Sequence, residues 1–294
     1  MQALYIIPAI ILFASNFVGT RAALIEYNPF EMAVLRFVIS SFFLLFLSFP
    51  GKIKLPNSRE WLFFIGLGFV LFLNIISLNY GMQTISAGET NLVVSTSQIF
   101  QVLIAWVFLN EKISNRFVTG LFCCFSGVAI IAIQNSDGFS LNIGVIYVLI
   151  AAVMNSIYFT AQKPLLNKYK PLVVISYAFW IATLFLLPFG NNVIESICNA
   201  SVKSTMAVIY VGFASSIGNI LWSKALSAIK ASSAAIILYT IPVVTIIIGY
   251  LYLHELPSLI SCLGGAVIMG GVFMANLSKF NIKQSGTDIS PRSL

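Results

Sequence analysis

Leu109-Asn110-Glu111-Lys112-Ile113-Ser114 leads into Gly120 and then Gly127-Val128. The pattern returns 144 residues later as Leu253-His254-Glu255-Leu256-Pro257-Ser258, followed by Gly264 and Gly271-Val272. Ala87 and Ala231 keep the same shift, and a shift of 142 lays Pro29 on Pro171 and Phe37 on Phe179. Self-similarity at a fixed offset marks a duplicated structural unit. Everything else in the sequence is read outward from this duplication.

The whole chain has 294 residues, of which 59% are apolar and 9% charged. Soluble domains carry about 25% charged residues. Nine acids and sixteen bases cannot cover a soluble surface of this size. The composition also excludes a disordered chain, a collagen and a disulfide scaffold. A bilayer span needs about 20 mostly apolar residues. Such runs lie at 3–21, 29–49, 60–80, 88–109, 114–133, 142–162, 171–189, 204–226, 231–253 and 257–277. Asn28-Pro29, Pro50-Gly51, Asn135 to Gly138, Lys170-Pro171 and Gly190 to Asn192 supply turn chemistry between them. The boundary near 81–90 has the weakest breaker. Each unit therefore holds five spans. Five is odd, so the second unit must sit in the membrane upside down relative to the first. The expected fold is an all-α membrane protein with ten transmembrane helices in two inverted five-helix repeats. Residues 1–134 form the first repeat, 141–277 the second, and 278–294 a disordered cytoplasmic tail. The first run is too long for the apolar region of a cleavable signal peptide.

The formal net charge of +7 invites a nucleic-acid reading, but no cluster of bases lies on a soluble face. With ten spans, one side holds Lys52, Lys54, Arg59, Lys112, Arg116, Lys163, Lys168, Lys170, Lys224, Lys230, Lys279, Lys283 and Arg292. The other holds Arg21 and Lys203, and Arg36 falls inside the second run. By the positive-inside rule both termini lie in the cytoplasm of a cell, or inner, membrane. Cys123, Cys124, Cys198 and Cys262 show no metal-binding spacing and His254 is the single histidine, so no metal or other cofactor is expected.

The paired Leu-x-Glu-x-x-Ser and Gly-x6-Gly motifs resemble the EamA-type members of the drug/metabolite transporter superfamily. So do the stretch Asn28 to Phe37 and the stretch Ser232 to Glu255 with Pro242 inside it. The resemblance covers residues 3–277. It implies ten helices around a central cavity and the export or exchange of small metabolites, amino acids and their relatives foremost. Inverted repeats place such sites at the repeat interface near the midplane. One departure is Gln98, where the family and this chain's own second half (Pro242) carry Pro.

Polar side chains inside a bilayer are costly unless paired or wetted, so those in mid-span are the candidates for solute binding. They are Asn16 in the first span, Asn74 and Tyr80 in the third, and Asn91, Ser95 and Gln98 on one face of the fourth. Asn155 and Tyr158 follow in the sixth, Asn219 and Trp222 in the eighth, and Tyr239 in the ninth. Ser77 and Asn79 accompany the third-span pair. Amides, hydroxyls and rings suit a zwitterionic or aromatic solute. For each residue alone, a hydrogen bond to a neighbouring helix is the competing reading. Spans five and ten carry few polar residues, and their paired glycines read as close-packing scaffold.

Arg36 and Glu89 are the candidates for charge recognition or coupling. Arg36 lies too deep to snorkel and needs a carboxylate, a carbonyl or the solute as partner. Glu89 could meet a solute amine or a coupling proton, but reads preferably as a solvated helix start. Glu111 and Glu255 read either as gates or, preferably, as carboxylates taking backbone N–H bonds from the helix that follows. The leading function is secondary transport of a small organic solute by alternating access, with a proton as candidate coupling ion. A nucleotide-sugar or phosphorylated-metabolite exchanger is the alternative, though it would want more deep bases than Arg36. An intramembrane enzyme lacks a carboxylate pair, a metal site or a Ser/His pair in mid-span. The expected partners are the solute and the bilayer, not nucleic acid, and a monomer or a homodimer fits equally.

Overall fold

A computed structural model describes residues 3–48, 55–109, 115–135, 138–139, 142–228 and 240–285. The described chain is helical: α1 Ala3–Ala23, α2 Pro29–Ser48, α3 Ser58–Gly81, α4 Ala87–Val94, α5 Ser97–Leu109 and α6 Asn115–Ala132. After two two-residue strands, Gln134–Asn135 and Gly138–Phe139, come α7 Ile143–Leu166, α8 Pro171–Leu186, α9 Val193–Asn199 and α10 Val202–Ala228. Then follow α11 Thr240–Leu253 and α12 Leu259–Ser285. Six of these are long and apolar enough to cross a bilayer, from Tyr5–Ala23 to Val202–Trp222. Shorter apolar helices lie at Arg116–Ala132, Thr240–Leu253 and Leu259–Ala275. Local chemistry starts several of them. Asn57 with Glu60 and Ser86 with Glu89 form capping boxes on α3 and α4, and Pro171 opens α8 where its missing N–H is harmless.

Two expectations are corrected here. The fourth run is not one helix, because it breaks at Ser95-Thr96 between α4 and α5. The interval before α10, read as a loop, carries the short helix α9.

The duplication reappears in space. Phe37 stacks on its repeat mate Phe179 with ring centroids 5.1 Å apart. The hydroxyls of Ser41 and its mate Thr183 lie 2.7 Å apart. The Cys124 thiol reaches the carbonyl of its mate Ile268 at 3.3 Å. Two mates can touch only where a two-fold axis relating the halves passes between them. Off the axis, contacts come in mirrored pairs. A Cβ on Gly68 would lie 2.5 Å from Ile181, and a Cβ on its mate Gly212 would lie 2.8 Å from Ile39, the mate of Ile181.

Two groups of helices follow from that symmetry. α1 packs on α10 and α11, and α2 packs on α10. Their mates repeat the arrangement, with α7 on α3, α4 and α5, and α8 on α3. Each group therefore mixes helices from both repeats. The two groups share a core in which Phe37 and Val34 of α2 meet Phe179, Val174 and Ile175 of α8. α6 and α12 pair beside them as a scaffold. Gly120 faces Gly271 and Gly127 faces Gly264, so close that a Cβ on Gly120 would lie 2.5 Å from the Gly271 carbonyl oxygen. That antiparallel glycine pairing is what the spacing of the two motifs encodes.

Candidate functional site

Ser95, Thr96 and Ser97 form an uninterrupted run of hydroxyl residues in the middle of the fourth span. Ser95 Oγ donates to the Leu92 carbonyl at 2.6 Å and Thr96 Oγ1 to that of Val93 at 2.7 Å. The backbone tightens to three-residue spacing there, with the Thr96 N–H on Val93 and the Ile99 N–H on Thr96. Side-chain hydroxyls competing for helix carbonyls bend helices in this way. From α7, Ser156 Oγ donates to the Ser97 carbonyl at 2.6 Å. From α11, Thr245 Oγ1 accepts from Asn91 Nδ2 at 2.7 Å. The break is therefore flanked by helices from the second repeat on both sides. Its sequence mate in the second half is Tyr239-Thr240, of which Tyr239 lies outside the described residues. Discontinuous helices at a repeat interface are where membrane carriers place backbone groups for a solute.

Arg36 anchors a second polar locus. It is 9% exposed. Its Nε and Nη2 donate to Ser215 Oγ at 3.0 and 2.8 Å, and Nη2 also to Asn16 Oδ1 at 2.9 Å. Nη1 lies 3.5 Å from Thr20 Oγ1. Asn16 in turn donates to Ser215 Oγ at 2.8 Å. The knot ties α1 and α2 of the first repeat to α10 of the second. Of the partners expected for Arg36, the structure supplies a carbonyl oxygen, that of the Asn16 amide, together with hydroxyls; among the described residues no carboxylate pairs with it. At the mated place Ala178, Tyr158, Gln162 and Leu71 stand for Arg36, Asn16, Thr20 and Ser215. There Tyr158 Oη and Gln162 Nε2 are buried with no partner among the described residues. Thr20, Ser215 and Gln162 were not singled out from sequence, although each is a polar residue inside an apolar run.

The remaining sequence candidates are not gathered into one cluster. Asn74 donates to the Ala151 carbonyl of α7 at 2.7 Å. Tyr80 meets Phe30 and Tyr147 edge-on or tilted at 5.8 and 5.6 Å. Asn219 bonds back to Ser215 of its own helix, and Trp222 packs against Phe13 at 6.2 Å. Gln98 is half-buried in the first turn of α5. Asn155 is half-buried on α7 one residue from Ser156 and has no hydrogen-bond partner among the described residues. Tyr239 and Glu111 lie outside the described residues.

The carboxylates at the other rim are engaged. Glu89 Oε2 caps α4 by accepting from the Ser86 N–H at 3.0 Å, and its Oε1 accepts from the Ser261 hydroxyl of α12. Glu255 is corrected: its partner is not the backbone of the next helix but Arg21, whose Nε lies 3.1 Å from Oε1. Glu26 accepts from the Ser201 N–H at 2.6 Å, which is the main reason its carboxyl lies below the usual carboxylate range. A cleft of about 290 Å³ beside it is lined by Glu26, Glu31 and Glu195, at the start of α2 and along α9.

Comparison with known proteins agrees with this architecture. The model of the EamA-like transporter family matches residues 1–133 and again 142–277. The chain is 33% identical over 265 residues to the uncharacterized transporter YdfC of Bacillus subtilis, covering 89% of this chain and 86% of that one. It is 30% identical over 274 residues to a probable terminal-alkyne amino-acid exporter of Streptantibioticus cattleyicolor, covering 92% of each. It is 29% identical over 259 residues to an S-adenosylmethionine uptake transporter of Rickettsia conorii, covering 87% of this chain and 83% of that one. One crystal structure superposes with a TM-score of 0.65 over 96% of this chain and 98% of its own, at 18% identity, a likeness of fold alone. With two family matches in tandem along an apolar helical chain, the protein belongs to the EamA-like transporter family and is a multi-pass membrane transporter, not an enzyme.

Proposed function

We propose that the protein moves amino acids or amino-acid-like solutes across the cell membrane by alternating access, as export or exchange. In this reading ten spans cross the bilayer as two inverted repeats, residues 1–134 and 141–277, with both termini in the cytoplasm. The observation that carries it is the broken fourth span at the repeat interface, flanked by α7 and α11. The two mixed helix groups rock about that break, and neutral amides and hydroxyls there hold a zwitterion without burying a fixed countercharge. Two relatives, a probable amino-acid exporter and an S-adenosylmethionine carrier, bear names whose solutes share an α-amino-acid group.

The test is solute counterflow. Purified protein in liposomes is loaded with amino acids or sulfur- and nucleoside-containing metabolites, and labelled solute is followed with and without a pH gradient. Accumulation of one chemical class is expected. Movement of phosphorylated sugars alone would replace this reading by the nucleotide-sugar alternative. Asn155→Ala is expected to lower the exchange rate about 10-fold, the worth of one lost hydrogen bond to the solute, at unchanged thermal stability. Trp222→Ala is a poorer probe, because its indole is 4% exposed and losing it costs about 3–5 kcal/mol of packing. An unchanged rate in Asn155→Ala would move the site away from α7.

A further inference from the structure

We infer that Arg21, held in position by Glu255, latches the outer end of the transporter shut through its bonds to Met82 and Gln83, and that these must release before solute exchanges with the outside. The inference rests on the alternating-access reading and deepens it by naming residues that govern the cycle. Arg21 is the last base of α1. It donates from Nε to Glu255 Oε1 at 3.1 Å and from Nη1 to the carbonyls of Met82 and Gln83 at 2.5 and 3.0 Å. One guanidinium thus joins three segments: the end of α1, the turn between α11 and α12, and the turn after α3. α1 and α11 belong to one helix group and α3 to the other, so the bonds to Met82 and Gln83 cross the seam that must part.

Three features fit a latch rather than a static strut. The pair is partly exposed, at 22% and 29% of its side-chain surfaces, and exposed pairs are weak enough to break often. Glu255 Oε2 is buried with no partner among the described residues, so the carboxylate depends on Arg21 alone. His254 takes a left-handed φ of 55° at the end of α11, which turns the chain so that Glu255 points back to α1. Beneath the latch Ala22, Ala23 and Ala87 are buried in one apolar cluster with the larger Met82 and Tyr27. Arg21–Glu255 is the one ion pair at this end among the described residues, where the Glu89 carboxylate meets the Ser261 hydroxyl and Lys203 lies over the Tyr252 ring. The repeat keeps the charge pattern too: the sequence mates of Arg21 and Glu255 are Lys163 and Glu111, again a base and an acid. A carrier that closes alternately at its two ends can use one such pair at each.

The test places a cysteine beneath the latch, Ala87→Cys, with the exposed thiols Cys198 and Cys262 changed to Ser. The protein is held in lipid nanodiscs, and its modification by a charged maleimide is timed without any solute. Arg21→Gln and the isosteric Glu255→Gln are each expected to speed modification of position 87 about 5-fold, the worth of a partly exposed ion pair. The buried thiol of Cys124 is expected to stay unmodified in both. An unchanged rate at position 87 in either variant would overturn the latch. So would modification of Cys124 alongside it, because that signals general loosening. The assay needs no transport, so the two ideas fail separately. Wild-type protein that moves no solute sinks the transport reading, whereas active counterflow with unaltered labelling in the variants sinks the latch alone.

Discussion

Gly271→Ala is expected to lower the melting temperature of the detergent-solubilised protein by more than roughly 5 °C, while Gly270→Ala leaves it unchanged or raises it. The two residues are consecutive on α12 and differ only in direction. A Cβ at Gly271 would lie 2.6 Å from the Gly120 carbonyl oxygen and 2.8 Å from the Cys124 nitrogen, and neither backbone atom can yield without moving α6. A Cβ at Gly270 meets nothing within 4 Å. Overpacking of a tight contact costs about 1–3 kcal/mol, whereas Ala in place of an unhindered helical Gly gains up to about 1 kcal/mol. The pseudo-two-fold axis sharpens the expectation. Gly127 is the mate of Gly271, and its Cβ would lie 2.5 Å from the Gly264 carbonyl oxygen. Gly127→Ala should therefore carry a penalty similar to that of Gly271→Ala. A wild-type melting temperature for either variant would show that α6 and α12 do not pack through these glycines.

The same residues show how far the fold was legible in the sequence. Glycines at 120, 127, 264 and 271 are readable because a close helix contact leaves no alternative residue and the duplication prints it twice. The mates Phe37 and Phe179 were readable for the same reason, and they now stack. The break at Ser95-Thr96 was missed because hydropathy measures whether a run can sit in lipid, not whether its backbone stays helical. The three consecutive hydroxyls were its signal. The knot around Arg36 was half legible. A deep base must find partners, but Ser215 lies 179 residues away on α10 and looks like any small residue of a membrane helix. Glu255 was legible as a repeated carboxylate, yet which oxygen or nitrogen it meets depends on how two turns and a helix end converge, and spacing along the chain does not contain that.

Ser215→Ala is expected to destabilise the protein more than Arg36→Met, although serine is the smaller and less conspicuous residue. Ser215 Oγ accepts from Arg36 Nε and Nη2 and from Asn16 Nδ2. Removing it leaves the guanidinium buried at mid-span with one short hydrogen bond, to Asn16, and no carboxylate among the described residues. A buried charge stripped of its acceptors costs about 3 kcal/mol or more. Arg36→Met removes the charge itself. It leaves Asn16 and Ser215 still joined at 2.8 Å, and replacing a buried ion by an apolar residue of similar length is often neutral. Thermal melts of the two variants decide the order, and the reverse order would mean that an anion or water already satisfies the guanidinium. Counterflow then separates the remaining roles of Arg36. A folded Arg36→Met protein that still exchanges solute leaves the guanidinium as a tie between α1, α2 and α10. One that melts normally but carries nothing places the solute's negative group on Arg36, and makes the three neutral partners the means by which a bare cation is kept ready inside the membrane.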